Sequence, residues 1–318
     1  MPMLDMPLEQ LKEYKGISPR PKDFDAYWTE ALAELDTTEP RLERREAPFA
    51  AAGAVCEELY FTGVRGARIY AKYLRPATPG PHPCLLAFHG YTMSSGDWAS
   101  YLPYVMQGMC VAAMDCRGQG GRSQDVGGVT GNTQRGHIIR GLWDKPQDLY
   151  YRHVFLDTVQ LCRVVSAFEE VDESRMGATG SSQGGALSIA CSALTGKMKR
   201  TVSQYPFLSD FKRAWQMDLG SEAYRELYEY FRRFDPMHER ENFFFERLGY
   251  IDIHFLAERI RHSVLMGIGL TDIVCPPSTS FATYNALSGE KELCCYPDFG
   301  HEIPPGFLDR AFGYLKEL

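Results

Sequence analysis

One serine sits between two glycines, where an apolar strand-like run gives way to a stretch of small residues. The segment reads Gly180-Ser181-Ser182-Gln183-Gly184, preceded by the run over 175–179 and followed by Gly185-Ala186-Leu187-Ser188-Ile189-Ala190. Glycines two residues either side of a serine allow a strand to turn sharply into a helix, because neither carries a Cβ that would clash where the two elements pass. Only Ser182 has glycine at that distance on both sides. Such a turn projects the Ser182 hydroxyl above the end of a sheet. The same five-residue pattern also arises in plain strand-to-helix turns, so the rest of the chain must choose between the two.

The surrounding pattern supplies the sheet. Residues 23–35 predict a helix behind an Asp23 cap, with Phe24, Tyr27, Trp28, Ala31, Leu32 and Leu35 at helical spacing. Two β-rich runs, 55–62 and 68–74, flank a glycine-containing turn and predict a hairpin. Short apolar strands follow at 84–88, 109–114, 176–179, 201–205, 264–268 and 292–296. Between and after them, helices are expected at 98–106, 149–171, 185–195, 277–287 and 307–318. This alternation predicts an α/β fold: a mostly parallel central sheet with antiparallel N-terminal strands and helices on both faces. Without an internal repeat or linker, 1–318 is expected to form a single domain with an N-terminal helical extension over about 1–45. Two long excursions, about 115–149 and 209–261, leave the C-terminal ends of strands, the side where such sheets bind ligands.

Charge and cysteine usage narrow the partners. A net charge of −7 gives no electrostatic reason to expect nucleic acid. No apolar stretch reaches the length of a membrane span, and Met1-Pro2-Met3-Leu4-Asp5-Met6-Pro7 lacks the cationic start and apolar core of a secretory signal. Nine scattered cysteines without metal-type spacing predict reduced, mostly buried thiols and a cytoplasmic location. Cys294 and Cys295 are expected to face opposite sides of a strand, with a vicinal disulfide as the alternative. Arg117-Gly118-Gln119-Gly120-Gly121-Arg122 lacks the third glycine and the lysine of phosphate-binding loops. No cofactor and no metal are expected.

A serine hydroxyl needs a base to take its proton and an acid to orient that base. His301, just after the last predicted strand, stands where the base is needed; His238, His254 and His262 are expected in surface or core roles. Asp272, in the loop after the 264–268 strand, is the expected acid, with Asp210 as the alternative. An oxyanion formed at the serine calls for two N–H donors: Gln183, following the serine, and Tyr91, in the loop Phe88-His89-Gly90-Tyr91. His89 is expected to shape that loop, and Phe243-Phe244-Phe245 to pack in a core or an interface.

These residues resemble the acetyl xylan esterase/cephalosporin C deacetylase family, the seventh carbohydrate esterase family. The likeness lies in Arg117-Gly118-Gln119, the Gly180-Ser181-Ser182-Gln183-Gly184 elbow and His301-Glu302. It continues through Asp23-Phe24-Asp25-x-Tyr27-Trp28, His89-Gly90-Tyr91, Gly136-His137-Ile138-Ile139-Arg140-Gly141 and 272–277. The family usually has glycine where this chain has Ser181. The resemblance implies an α/β-hydrolase serine esterase that deacetylates small substrates such as acetylated xylo-oligosaccharides and cephalosporin C. It also implies a homohexamer with the excursion around 127–143 at its interface, and a place for Phe207 in a small acyl pocket.

Overall fold

The computed structural model describes residues 4–128, 136–220 and 222–318. Nine strands form the sheet: β1 (Glu43–Glu46), β2 (Ala54–Thr62), β3 (Arg68–Pro76), β4 (His82–Phe88), β5 (Cys110–Met114), β6 (Val171–Ser181), β7 (Met198–Gln204), β8 (Ser263–Gly269) and β9 (Lys291–Tyr296). Their order is β1-β2-β3-β5-β4-β6-β7-β8-β9. The strands from β4 to β9 run parallel, while β1, β2, β3 and β5 are joined by antiparallel ladders.

Side-chain alternation explains why the central strands read as unbroken apolar runs. Along β4, Cys84, Leu86 and Phe88 enter one hydrophobic core, while Leu85 and Ala87 enter another on the opposite face. Strand β5 repeats this with Cys110, Ala112 and Met114 against Val111 and Ala113. A strand covered on both faces has no polar side to show.

The covering helices, in chain order, are α1 (Leu8–Leu11), α2 (Phe24–Asp36), α3 (Leu102–Met106), α4 (Tyr150–Ser166), α5 (Gln183–Thr195), α6 (Phe211–Met217), α7 (Arg225–Phe234), α8 (Glu241–Gly249), α9 (Ile253–Ala257), α10 (Pro277–Ala286) and α11 (Phe307–Leu315). Helices α2, α4, α5 and α9 share the larger core, and α11 packs in the smaller one. The architecture is that of an α/β-hydrolase. Helices α6 to α9 occupy the excursion between β7 and β8. The excursion expected over 115–149, with its interface at 127–143, lies partly outside the described residues.

Local departures from the sequence expectations have physical causes. The helix expected over 149–171 stops at Ser166, because Val171 already pairs with His82 in the β4–β6 ladder. The helix expected over 98–106 is a 3-10 turn, Trp98–Tyr101, followed by α3 with a proline in its first turn. Proline lacks an N–H and is tolerated there, not in a helix interior. Asp23 makes no side-chain cap to α2, and its Oδ1 instead accepts from the Tyr250 hydroxyl at 2.6 Å. Strand β1, all charged, gave no strand signal. It is held by its ladder to β2 and by ion pairs such as Arg68–Glu43 at 2.7 Å.

Candidate active site

The site grows from the end of β6. Ser182 has φ 57° and ψ −119°, a left-handed backbone that residues with a side chain seldom adopt. The strain is held from three sides: Ser182 N donates to Gln204 O at 2.9 Å, and Ser182 O accepts from Ala186 N and Phe207 N, both at 3.0 Å. A Cβ on Gly180 would stand 2.7 Å from Gly184 Cα, and one on Gly184 would overlap the Phe88 carbonyl. The sequence therefore requires both glycines sterically.

Two loops bring a base and an acid to this serine. Asp272 follows β8 and is fully buried. Its Oδ1 accepts from Val274 N at 2.7 Å and Cys275 N at 2.9 Å, which turns Oδ2 toward His301. His301 Nδ1 donates to that oxygen at 2.8 Å, and Ser182 Oγ stands 3.0 Å from Nε2. The Tyr205 ring packs 4.4 Å from the imidazole and steadies it. A hydroxyl bonded to an imidazole, itself bonded to a buried carboxylate, has a path for its proton.

The oxyanion side is built on one peptide. His89 Nδ1 lies 2.7 Å from Gly90 O, and Cys116 N donates to His89 Nε2 at 2.9 Å. These partners fix a neutral ring with its proton on Nδ1, and burial holds its pKa below the usual histidine value. The Gly90 carbonyl also accepts from Met93 N at 3.2 Å. In a trans peptide the N–H points away from the C=O. The Tyr91 N–H thus faces away from His89 and, among the described residues, meets no protein acceptor. Gln183 is the first residue of α5, where amides lack intrahelical acceptors. Tyr91, Ser182 and His301 line one cavity of about 880 Å³.

Phe207 does not line that cavity. It is fully buried one layer behind, 5.2 Å from the Tyr91 ring and 4.6 Å from Tyr224. Asp210, the alternative acid, is committed elsewhere: its carboxylate accepts from the Tyr14 hydroxyl at 2.7 Å and Ser18 N at 2.9 Å. The other late histidines also have separate partners. His254 pairs with Asp252 at 2.6 Å, His262 lies 2.9 Å from the Thr201 hydroxyl, and His238 stacks on Phe231 at 4.3 Å. Phe244 and Phe245 are buried, whereas Phe243 is exposed. Cys294 and Cys295 are both unbridged.

The Arg117-Gly118-Gln119 motif ties the elbow to the oxyanion loop. Gln119 and Gln183 form a reciprocal amide pair at 2.7 and 3.1 Å, and Gln119 Oε1 accepts from Thr92 N at 2.9 Å. The Tyr151 hydroxyl donates to Gln183 Oε1 at 2.9 Å. Arg117 meets Asp157 of α4 through two bonds at 2.6 and 2.7 Å, both side chains fully buried. Sequence reasoning missed Tyr205 and Glu226 of α7, which also line the cavity. Burial pushes the Glu226 carboxyl up to about 7. Among the described residues no cluster of three or more His, Cys, Asp or Glu side chains could hold a metal, and no helix is long and apolar enough to cross a membrane.

Comparison with known proteins identifies the family. Residues 1–318 match the family described as Acetyl xylan esterase (AXE1). Acetyl xylan esterase 1 from Thermoanaerobacterium sp. JW/SL YS485 is 56% identical, with a TM-score of 0.97 over 98% of this chain and 99% of that one. The acetyl xylan esterase from Paenibacillus sp. R4 is 34% identical, with a TM-score of 0.94 over 98% of this chain and 99% of the other. Acetyl esterase Axe7A of Xylanibacter ruminicola is 26% identical over 297 residues, 91% of this chain. The chain spans 64% of the length of that curated relative. The chain belongs to the acetyl xylan esterase family, carboxylic ester hydrolases built on the α/β-hydrolase fold.

Proposed function

We propose that this protein is a serine esterase that removes acetyl groups from small acetylated sugars of the xylan type. The observation that carries the reading is the unbroken chain from Ser182 through His301 to Asp272, at 3.0 and 2.8 Å, opening on one cavity. Ser182 attacks the acetyl carbonyl while His301 takes its proton. The Tyr91 and Gln183 amides receive the negative oxygen of the tetrahedral intermediate. Collapse expels the sugar alcohol, which takes the proton back from His301, and leaves an acetyl-enzyme. His301 then draws a proton from water, whose oxygen attacks the acetyl carbonyl; the bond to Ser182 Oγ breaks, Ser182 takes that proton back from His301, and acetate leaves. Asp272 orients His301 and stabilises its charged form throughout. Phe207 acts through Tyr91, whose ring it supports from behind.

A cavity of about 880 Å³ exceeds what an acetyl group fills, which supports an alcohol portion of sugar size within it. Cephalosporin C, also an acetate ester, belongs to the same substrate proposal. All nine cysteines are unbridged, which supports a reducing, cytoplasmic location. The experiment measures acetate release from acetylated xylo-oligosaccharides and cephalosporin C, beside matched butyrate esters and acetamides. Turnover of the acetates with Ser182→Ala reduced about a million-fold supports the reading. Preference for amides, or a Ser182→Ala variant near wild-type rate, overturns it.

A further inference from the structure

Helix α7 carries a carboxyl that none of the steps above uses. Glu226 is 2% exposed and forms part of the cavity wall with Tyr91. Its Oε1 accepts from Ile138 N and its Oε2 from Ile139 N, each at 3.0 Å. The preceding amide, His137 N, donates to the Tyr91 hydroxyl at 2.7 Å, and that hydroxyl lies 3.4 Å from Glu226 Oε1. Three successive amides therefore end on one carboxylate and the phenol beside it. Gly136 closes on the same pair: its φ is +91°, and a Cβ there would stand 2.8 Å from the Tyr91 hydroxyl and overlap the carboxylate.

The charge on this clamp is costly. Among the described residues the partners of Glu226 are backbone amides and the Tyr91 hydroxyl, with no cation, and burial pushes its carboxyl up to about 7. A neutral glutamine could not take over the contacts. One end of its amide is a donor and would face a backbone N–H, leaving that group unsatisfied.

We propose that Glu226 is a positioning residue for the oxyanion donor. By collecting the 138 and 139 amides it holds the 136–139 segment against the Tyr91 hydroxyl, and so fixes the Tyr91 ring and main chain. His89 holds the carbonyl end of the Gly90–Tyr91 peptide, while the clamp holds the residue through its side chain. A donor pinned from both sides has no reorganisation left to make when the oxyanion forms, which is the condition for strong stabilisation. The inference rests on the reading of Tyr91 as the oxyanion donor.

The test uses the full chain at pH 8, with 4-nitrophenyl acetate as substrate and active sites counted by fluorophosphonate labelling. Glu226→Gln is expected to lower kcat per labelled site by about 10- to 100-fold with KM nearly unchanged. Affinity for phenylboronic acid, whose tetrahedral adduct on Ser182 presents an oxygen to the same donors, should fall by a similar factor. Tyr91→Phe removes the clamp's other end and should give the same split; it carries the test if Glu226→Gln fails to fold. Combining the two should cost less than the product of their separate effects. Wild-type kcat per labelled site, or a lower kcat with unchanged boronate affinity, overturns the proposal. An active Ser182→Ala variant would instead remove the underlying reading.

Discussion

At the scale of single residues, what matters is which atom of a side chain its neighbours have already claimed. Two amides, Val274 N and Cys275 N, hold Asp272 Oδ1 and leave Oδ2 for His301. In Asp272→Asn the carbonyl oxygen would stay with those amides, and the NH2 would face His301 Nδ1. The imidazole would then carry its proton on Nε2, the nitrogen that must accept from Ser182. A fall in kcat on the order of 10⁴-fold is expected, read by steady-state hydrolysis of an acetate ester on folded variant. A loss of less than about ten-fold would contradict the role given to Asp272. That Ser182, Asp272 and His301 would meet was legible in the sequence, because motif spacing and order along the chain mark them. Glu226 was not: Arg225-Glu226-Leu227-Tyr228-Glu229 reads as an ordinary charged helix face, and only the fold reveals that position 226 points inward. Phe207, given a place in a small acyl pocket by the family resemblance alone, lies fully buried behind Tyr91.

At the scale of elements, the elbow shows how steric room sets the fold. Gly184 lies where a Cβ would meet the Phe88 carbonyl, a backbone atom of the central strand β4 that has no flexible end to move. Gly184→Ala is expected to destabilise the protein by about 2 kcal/mol or more, measured by urea denaturation. Gly313, inside α11, has open space around its Cβ position, so Gly313→Ala should instead stabilise by roughly 0.5–1 kcal/mol. Equal effects from the two substitutions would refute the steric account. Strands β4, β5 and β8 were legible because both of their faces are buried and their sequences are largely apolar. Strand β1 was not, because an edge of Glu and Arg carries no apolar pattern. Its charges blunt the edge against further pairing. The end of α4 was misjudged for another reason: Val171 continues the helical spacing of Val164 and Phe168, and only its pairing with His82 assigns it to β6.

At the scale of the whole molecule, all nine strands belong to one sheet, which supports the proposal that 1–318 folds as one domain with the N-terminal segment and the excursions packed on it. A homohexamer is proposed from the family resemblance alone, and light scattering is expected to give six times the mass of the 36.0 kDa chain. A monomer mass at micromolar concentration would reject it. Nothing in the hydrophobic pattern calls for an assembly, since exposed side chains such as Met93, Ile273 and Ile303 are scattered in sequence. The central claim is narrower: an acetyl group passes through Ser182 on its way to water. Rapid acid quenching during turnover of an acetate ester, followed by peptide mass spectrometry, tests it most directly. The account predicts one acetyl group on the peptide that contains Ser182, absent from the Ser182→Ala variant. Steady turnover with no acetylated Ser182 at any quench time, or with the acetyl group on another residue, would contradict it.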